Sequence, residues 1–370
     1  MSPKQLVLVG TYTQAFESGV LQMLGGKAKG IYSFLLDMGT GVLEVEKLAP
    51  GIVNPSYLTL NTSLNRLYAV NERKEYEGQA SGSVSAFAFD PKTRELQLLN
   101  IRPTRGTDPC HVVLNPQNTH VYVSNYGSGS VCIFPILEDG ALGEASQLIQ
   151  HEGASVNKAR QSGPHAHSLF FDNSGRFAFV QDLGIDRLMA YQADAVSGAL
   201  KAAPAPYYQA SPGTGPRHCA FHPNGKYLYV IYELSAGIDT LAYNEADASL
   251  SHLQTISTIP ADFFGHNGCA DIRITPDGRF LYGSNRGHDS FAIYSIDPGT
   301  GLLSLEGIQG SGGKTPRSFY IDPSGAYLLA ANQDSDNIVV FRIDSVTGRL
   351  RKVSEQAVPG PVCVKMYELP

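Results

Sequence analysis

Between Gly215 and Glu233 apolar and polar positions alternate, break, and alternate again. Pro216 to Phe221 reads as one strand, His222-Pro-Asn-Gly as a turn, and Lys226-Tyr-Leu-Tyr-Val-Ile-Tyr as a second strand. The same order returns 53 residues later from Gly268, with Ile272-Arg-Ile, the turn Thr275-Pro-Asp-Gly and the run Arg279-Phe-Leu-Tyr. It returns from Thr315 as Thr-Pro-Arg-Ser-Phe-Tyr-Ile-Asp-Pro-Ser-Gly-Ala-Tyr-Leu-Leu, and weaker copies begin near Asn54, Asp108 and His165. A seventh copy opens at Gly360 as Gly-Pro-Val-Cys-Val-Lys-Met and stops before its second half. The missing half stands at the other end of the chain, as Leu6-Val-Leu-Val-Gly-Thr-Tyr-Thr. Each pair is followed by a third strand, such as Phe291-Ala-Ile-Tyr-Ser-Ile-Asp. A turn such as Gly299-Thr-Gly and a fourth strand, Leu303-Ser-Leu-Glu, complete the unit.

Four antiparallel strands in each unit of roughly 50 residues, repeated radially, predict an all-β chain folded as a seven-bladed β-propeller. The split copy predicts how the ring closes. The strand near Val362–Met366 should pair with the strand near Leu6–Gly10, leaving no open sheet edge. Closure makes residues 1–370 one expected domain despite their number.

Composition sharpens this picture by exclusion. The 38 glycines, 22 prolines and 17% charged residues suit short strands and turns better than a helical bundle. A net charge of −6 without a basic stripe speaks against nucleic acid as a partner. No apolar run approaches the ~18 residues of a membrane span. The five cysteines are scattered, odd in number and without CxxC spacing, which disfavours a disulfide framework and a cysteine zinc site. With an amino terminus lacking a long apolar core, the expectation is a cytoplasmic monomer.

In a blade the start of the first strand and the end of the second meet at one mouth of the ring. The first position after the strand-one proline reads Ser56, Cys110, His167, Arg217, Ala270, Arg317 and Val362 around the ring. The next includes Tyr57, His111, His218 and Asp271, and the strand-two ends read Tyr12, Glu72, Tyr126, Asp182, Glu233, Arg286 and Gln333. The turns of the opposite face carry generic Asn, Asp, Ser and Gly, so the irregular chemistry gathers at this mouth. A surface arginine is ordinarily a solvated charge. Arg217, Arg286 and Arg317 instead stand where channel-facing strands end in a chain sparse in charge, and guanidinium forks match carboxylate or phosphate.

The run from Gly215-Pro-Arg-His through Tyr232-Glu-Leu, followed by Ile272-Arg-Ile-Thr-Pro-Asp-Gly-Arg-Phe-Leu-Tyr-Gly-Ser-Asn-Arg, resembles the seven-bladed lactonase family. That family contains bacterial propeller-type 6-phosphogluconolactonases and fungal carboxymuconate lactonizing enzymes. The likeness extends over essentially the whole chain, including the opening Val9-Gly-Thr-Tyr-Thr and Asn54-Pro-Ser-Tyr-Leu. It implies an active-site set of His, Arg, Glu and Arg, which falls here on His167, Arg217, Glu233 and Arg286. Arg317 is a candidate phosphate anchor. His165, a near twin of His167, and His218, Glu72 and His288 are further substrate-binding candidates; Glu72 is the equivalent of Glu233 beside an enlarged loop, Arg73 to Gly82.

Other motifs fail on inspection. Gly310-Ser-Gly-Gly-Lys-Thr evokes a phosphate loop, but position 308 is isoleucine and no helix follows. There is no Gly-x-Ser-x-Gly elbow and no His-Glu-x-x-His. The resemblance therefore implies hydrolysis of a small anionic sugar lactone, foremost 6-phosphogluconolactone, with no metal and no other cofactor. Glu233 with His167 is expected to handle protons, and Arg217 with Arg286 to stabilise the oxyanion. Lactonisation of a carboxymuconate, or a non-catalytic propeller that binds a peptide or glycan, are the alternatives. A calcium-dependent lactonase is disfavoured by the seven repeats and the arginine-rich mouth.

Overall fold

The second strands read as nearly unbroken apolar runs because both of their faces are covered. Tyr227–Tyr232 is buried at every position, whereas the outer strand of the same sheet, Ser249–Ser257, is largely exposed. The computed structural model describes residues 3–18, 21–23, 26–90, 92–93 and 95–368. Its strands form seven four-stranded antiparallel sheets arranged as blades, with one further hairpin, Phe16–Ser18 against Leu21–Met23.

Blade 1 is assembled from both ends of the chain. Its innermost strand, Pro361–Glu368, pairs with Lys4–Thr11, which leads outward to Gly30–Asp37 and Leu43–Pro50. The closing register runs from Gln5 opposite Glu368 to Gly10 opposite Cys363. This is the pairing that the split repeat predicts. The innermost strands of blades 2 to 7 are Leu58–Asn61, Pro109–Leu114, Ala166–Phe171, Pro216–Phe221, Gly268–Ile274 and Pro316–Ile321. Each pairs with the strand that follows it in the chain.

The core lies between blades. Tyr229, Ile231 and Ile238 of blade 5 pack against Ile272, Leu281 and Tyr294 of blade 6 in one buried cluster. A buried phenol needs a partner for its hydroxyl, and the ring meets that need repeatedly. Tyr68, Tyr122, Tyr229 and Tyr282 donate to the carbonyl oxygens of Gly140, Gly198, Gly301 and Gly348 at 2.6–3.0 Å, each in the outer turn of the next blade. Gly301 has φ +72° and lies under the Tyr227 ring, where a Cβ would come within 2.5 Å of it, so both conformation and space require glycine.

Candidate active site

One backbone device, repeated around the ring, aims the mouth residues. In blades 3, 4, 5 and 7 the register between the two inner strands slips by one residue, between Pro109 and His111, Ala166 and Ser168, Pro216 and His218, and Pro316 and Ser318. Blade 1 slips likewise around Val362, and blade 6 between Cys269 and Ile272. Such a bulge leaves one residue without a cross-strand partner and re-aims its side chain. The residues set free include Cys110, His167, Arg217, Arg317 and Val362, and all five line one cavity. The residue before the bulge dipeptide is left-handed in several blades: Asn54, Asp108, Gly215, Thr315 and Gly360 have φ between +38° and +65°.

The residue after the second strand closes the device by donating its N–H to that preceding segment. Tyr12, Glu72, Tyr126, Glu233 and Gln333 bond in this way to Gly360, Asn54, Asp108, Gly215 and Thr315. In blade 4 the equivalent bond is Leu183 N to His165 O. The strand-two end there is therefore Leu183, not Asp182. Asp182 instead pairs with Ala166 inside the ladder, accepts from His165 N, and meets His151 Nδ1 at 2.6 Å.

Glu233 is the hub of the mouth. Its Oε2 accepts from Arg217 Nε at 2.9 Å and pairs with the Arg286 guanidinium, Nη2 at 2.9 Å, and its Oε1 accepts from Arg160 Nη2 at 2.5 Å. His167 Nε2 stands 3.9 Å from Oε2, beyond hydrogen-bond reach. Burial works to raise the Glu233 carboxyl. Arg286, Arg160 and Arg217 outweigh it and hold the group well below the usual carboxylate range. Glu233 is thus a fixed anion near neutral pH. Burial and the neighbouring Arg217 push His167 well below its ordinary value, so it is a neutral imidazole. Burial, with Arg286 beside it, brings Arg217 down to about 10, which still leaves a cation at neutral pH.

These arginines are themselves held by backbone. Arg217 Nη1 donates to Ala270 O, while Arg286 donates through Nε to Gly268 O and through Nη2 to Cys269 O, both at 3.0 Å. Arg160 lies in the loop between blades 3 and 4. That loop and the one leading into Arg217 are tied at one buried carboxylate, Asp186, which accepts from Ser155 Oγ, Gln161 Nε2, Gly213 N and Gly215 N at 2.5–2.7 Å.

Across the cavity Glu72 occupies the position in blade 2 that Glu233 holds in blade 5, in different company. Tyr12 Oη donates to Glu72 Oε2 at 2.9 Å, and the Arg317 guanidinium stands over the Tyr12 ring at 5.5 Å. Among the described residues Arg317 makes no ion pair or hydrogen bond. Burial raises the Glu72 carboxyl, and Arg317 and the nearby hydroxyls of Ser56 and Tyr12 only partly offset it. The cavity has a floor. Tyr57, His111 and His218 meet with ring centroids 4.4–6.1 Å apart, and His218 Nδ1 is 3.0 Å from Asp271 Oδ1.

The structure thus brings His167, Arg217, Glu233 and Arg286 together, and His167 and Arg217 share the cavity with Arg317, Glu72 and His218. His165 lies one step away, stacked on Tyr126 at 4.5 Å with Nδ1 against Tyr126 O. His288 does not reach the cluster. It is taken up by Ser290 Oγ at 2.7 Å and by the edge of Phe263. Repeat reading missed Arg160 because its loop belongs to no repeat. The signal available was a long polar insertion, Glu152 to Pro164, ahead of a mouth strand. Among the described residues no group of three or more His, Cys, Asp or Glu side chains is arranged to hold a metal ion, and no helix is long and apolar enough to cross a membrane.

Comparison with known proteins agrees in sequence and in shape. The family described as Lactonase, 7-bladed beta-propeller, matches residues 6–366. A 6-phosphogluconolactonase of Bacillus subtilis (strain 168) is 38% identical over 363 residues, covering 98% of each chain. A 6-phosphogluconolactonase of Formosa agariphila is 35% identical over 79% of this chain and 82% of its own. Among solved structures, the periplasmic gluconolactonase of Pseudomonas aeruginosa superposes with a TM-score of 0.90 at 31% identity, covering 99% of this chain and 100% of its own.

Proposed function

Because the chain belongs to the seven-bladed β-propeller lactonase family, we propose that it hydrolyses a phosphorylated sugar lactone, 6-phosphogluconolactone, to the open-chain acid. The observation that carries this reading is the excess of fixed positive charge at the mouth. Three guanidinium groups converge on the single Glu233 carboxylate, and Arg317 adds a fourth cation on the same mouth. A site in low dielectric with surplus guanidinium selects an anionic substrate and stabilises negative charge that develops during reaction.

The uncommitted donors divide the work. Arg160 keeps 17% of its side chain exposed and Arg286 10%, so the outer rim takes the phosphate. Arg317, on the cavity wall and without a hydrogen-bonded protein acceptor among the described residues, polarises the lactone carbonyl and holds the tetrahedral oxyanion with Arg217. This division differs from the phosphate role that the Pro316-Arg pattern suggests for Arg317. Glu233, locked as an anion, sets the arginines in place. The relatives described by activity are lactonases, and nothing in the mouth favours the cycloisomerase or non-catalytic readings.

The test is the rate at which purified protein forms 6-phosphogluconate from the lactone, measured against spontaneous ring opening. Acceleration proportional to protein concentration is expected. A rate equal to the spontaneous one overturns the reading.

A further inference from the structure

We propose that Glu72 is the catalytic proton carrier of the site, the role that the sequence resemblance would give to Glu233. This rests on the lactone hydrolysis proposed above. The two glutamates end the second strands of blades 5 and 2, and both face the mouth. Their surroundings divide their roles. The Glu233 oxygens are occupied by three guanidinium groups, and giving this carboxylate a proton would set those cations against one another. Glu72 makes no ion pair among the described residues; the Tyr12 hydroxyl donates to it at 2.9 Å. It is 3% exposed and lines the cavity with Arg317, Arg217 and His167.

Burial raises the Glu72 carboxyl from its ordinary value, whereas the surrounding arginines drive Glu233 the opposite way. In the step assigned here a water oxygen bonds to the lactone carbonyl carbon and its proton passes to a Glu72 oxygen. The carbonyl electron pair moves onto the oxygen held by Arg317. When that oxyanion collapses, the bond from the carbonyl carbon to the ring oxygen breaks. The departing ring oxygen takes the proton back from Glu72. The new carboxylic acid releases its own proton to solvent, so water is the one co-reactant and Glu72 ends as it began.

The experiment compares wild type, Glu72→Gln and Tyr12→Phe on 6-phosphogluconolactone across pH, with thermal unfolding of each as a control. Glu72→Gln preserves shape and removes the titrating group. Its kcat should fall by about 10²–10⁴-fold with KM nearly unchanged. Tyr12→Phe removes a donor that favours the carboxylate, so the acid limb of kcat/KM should move to higher pH. Asp108 and Cys110 of blade 3, Arg217 of blade 5 and Arg317 of blade 7 also act on Glu72, and both variants keep all four. Full turnover by folded Glu72→Gln, or an acid limb unmoved in Tyr12→Phe, overturns the assignment while leaving the lactonase reading intact. A wild type without lactonase activity overturns both.

Discussion

Arg160 Nη2 lies 2.5 Å from Glu233 Oε1, joining the loop ahead of blade 4 to the end of the second strand of blade 5. The contact spans 73 residues of sequence and completes a cage that the repeats supply only in part. Arg217 comes from the first strand of blade 5 and Arg286 from the second strand of blade 6, both at repeated positions, but the third cation comes from an insertion. On the reading proposed above, this rim cation meets the additional charge of a phosphorylated lactone.

Loss of that cation should therefore affect the charged substrate selectively. Arg160→Ala removes a charge-assisted contact of about 1.5–3 kcal/mol, equivalent to roughly 10–100-fold in binding. The KM for 6-phosphogluconolactone should rise by that factor, while the unphosphorylated gluconolactone should be turned over much as before. Steady-state kinetics on the two lactones measures the difference. An equal loss on both would remove the phosphate role from Arg160.

The buried histidines set the acid stability. His111, His167 and His218 all lie below the ordinary histidine value because of burial, His218 at about 4. The unfolded chain takes up these protons near pH ~6.5 and the folded chain does so later, so the unfolded state binds more protons between the two values. The histidines' contribution is full above about pH 6.5 and falls as pH drops toward 4, by at most ~1.4 kcal/mol per pH unit for each histidine. It is offset in part by Asp108 and Glu72, whose carboxyls burial raises, Asp108 to about 6. The depressed carboxyls Glu233 and Asp271 contribute above the unfolded carboxylate range and lose that contribution only below about pH 4. Thermal unfolding at pH 7.5 and 5 should show a clear drop in Tm. A flat Tm over that interval would contradict neutral buried imidazoles.

Closure of the ring predicts the effect of truncation. Removing residues 361–370 takes the innermost strand from blade 1, exposes the edge of Lys4–Thr11, and deletes Val362, Cys363, Val364 and Met366 from buried surroundings. The shortened chain should lose cooperative thermal unfolding and become sensitive to protease. Wild-type resistance in the truncated chain would mean that the ring holds without its clasp.

The chain's architecture was legible because each copy carries the same turn between two apolar runs, and the split copy fixes the closure. The bulge ring was legible for a local reason. Proline precedes the freed residue at Arg217 and Arg317, and at Val362 as well, so one frame locates the inward positions. Blades 4 and 6 have Ala166 and Cys269 where the other five have proline, and in blade 4 the second-strand frame slipped by one residue, giving Asp182 in place of Leu183. Arg160 was illegible because its approach depends on a loop fold held by Asp186 rather than on a repeated position. The contrast between Glu72 and Glu233 was also hidden, since equivalent positions differ only in the partners that distant blades bring to them.

Whether this mouth performs the reaction is tested most directly by the kcat/KM of Arg217→Ala on 6-phosphogluconolactone, relative to wild type at pH 7.5. Arg217 bonds Glu233 at 2.9 Å and lines the cavity where the oxyanion is placed. Losing one such donor costs about 10²–10³-fold in rate, and a drop of that size in a variant that still binds phosphate and unfolds cooperatively is the predicted result. Undiminished hydrolysis by folded Arg217→Ala would place the chemistry elsewhere on the propeller.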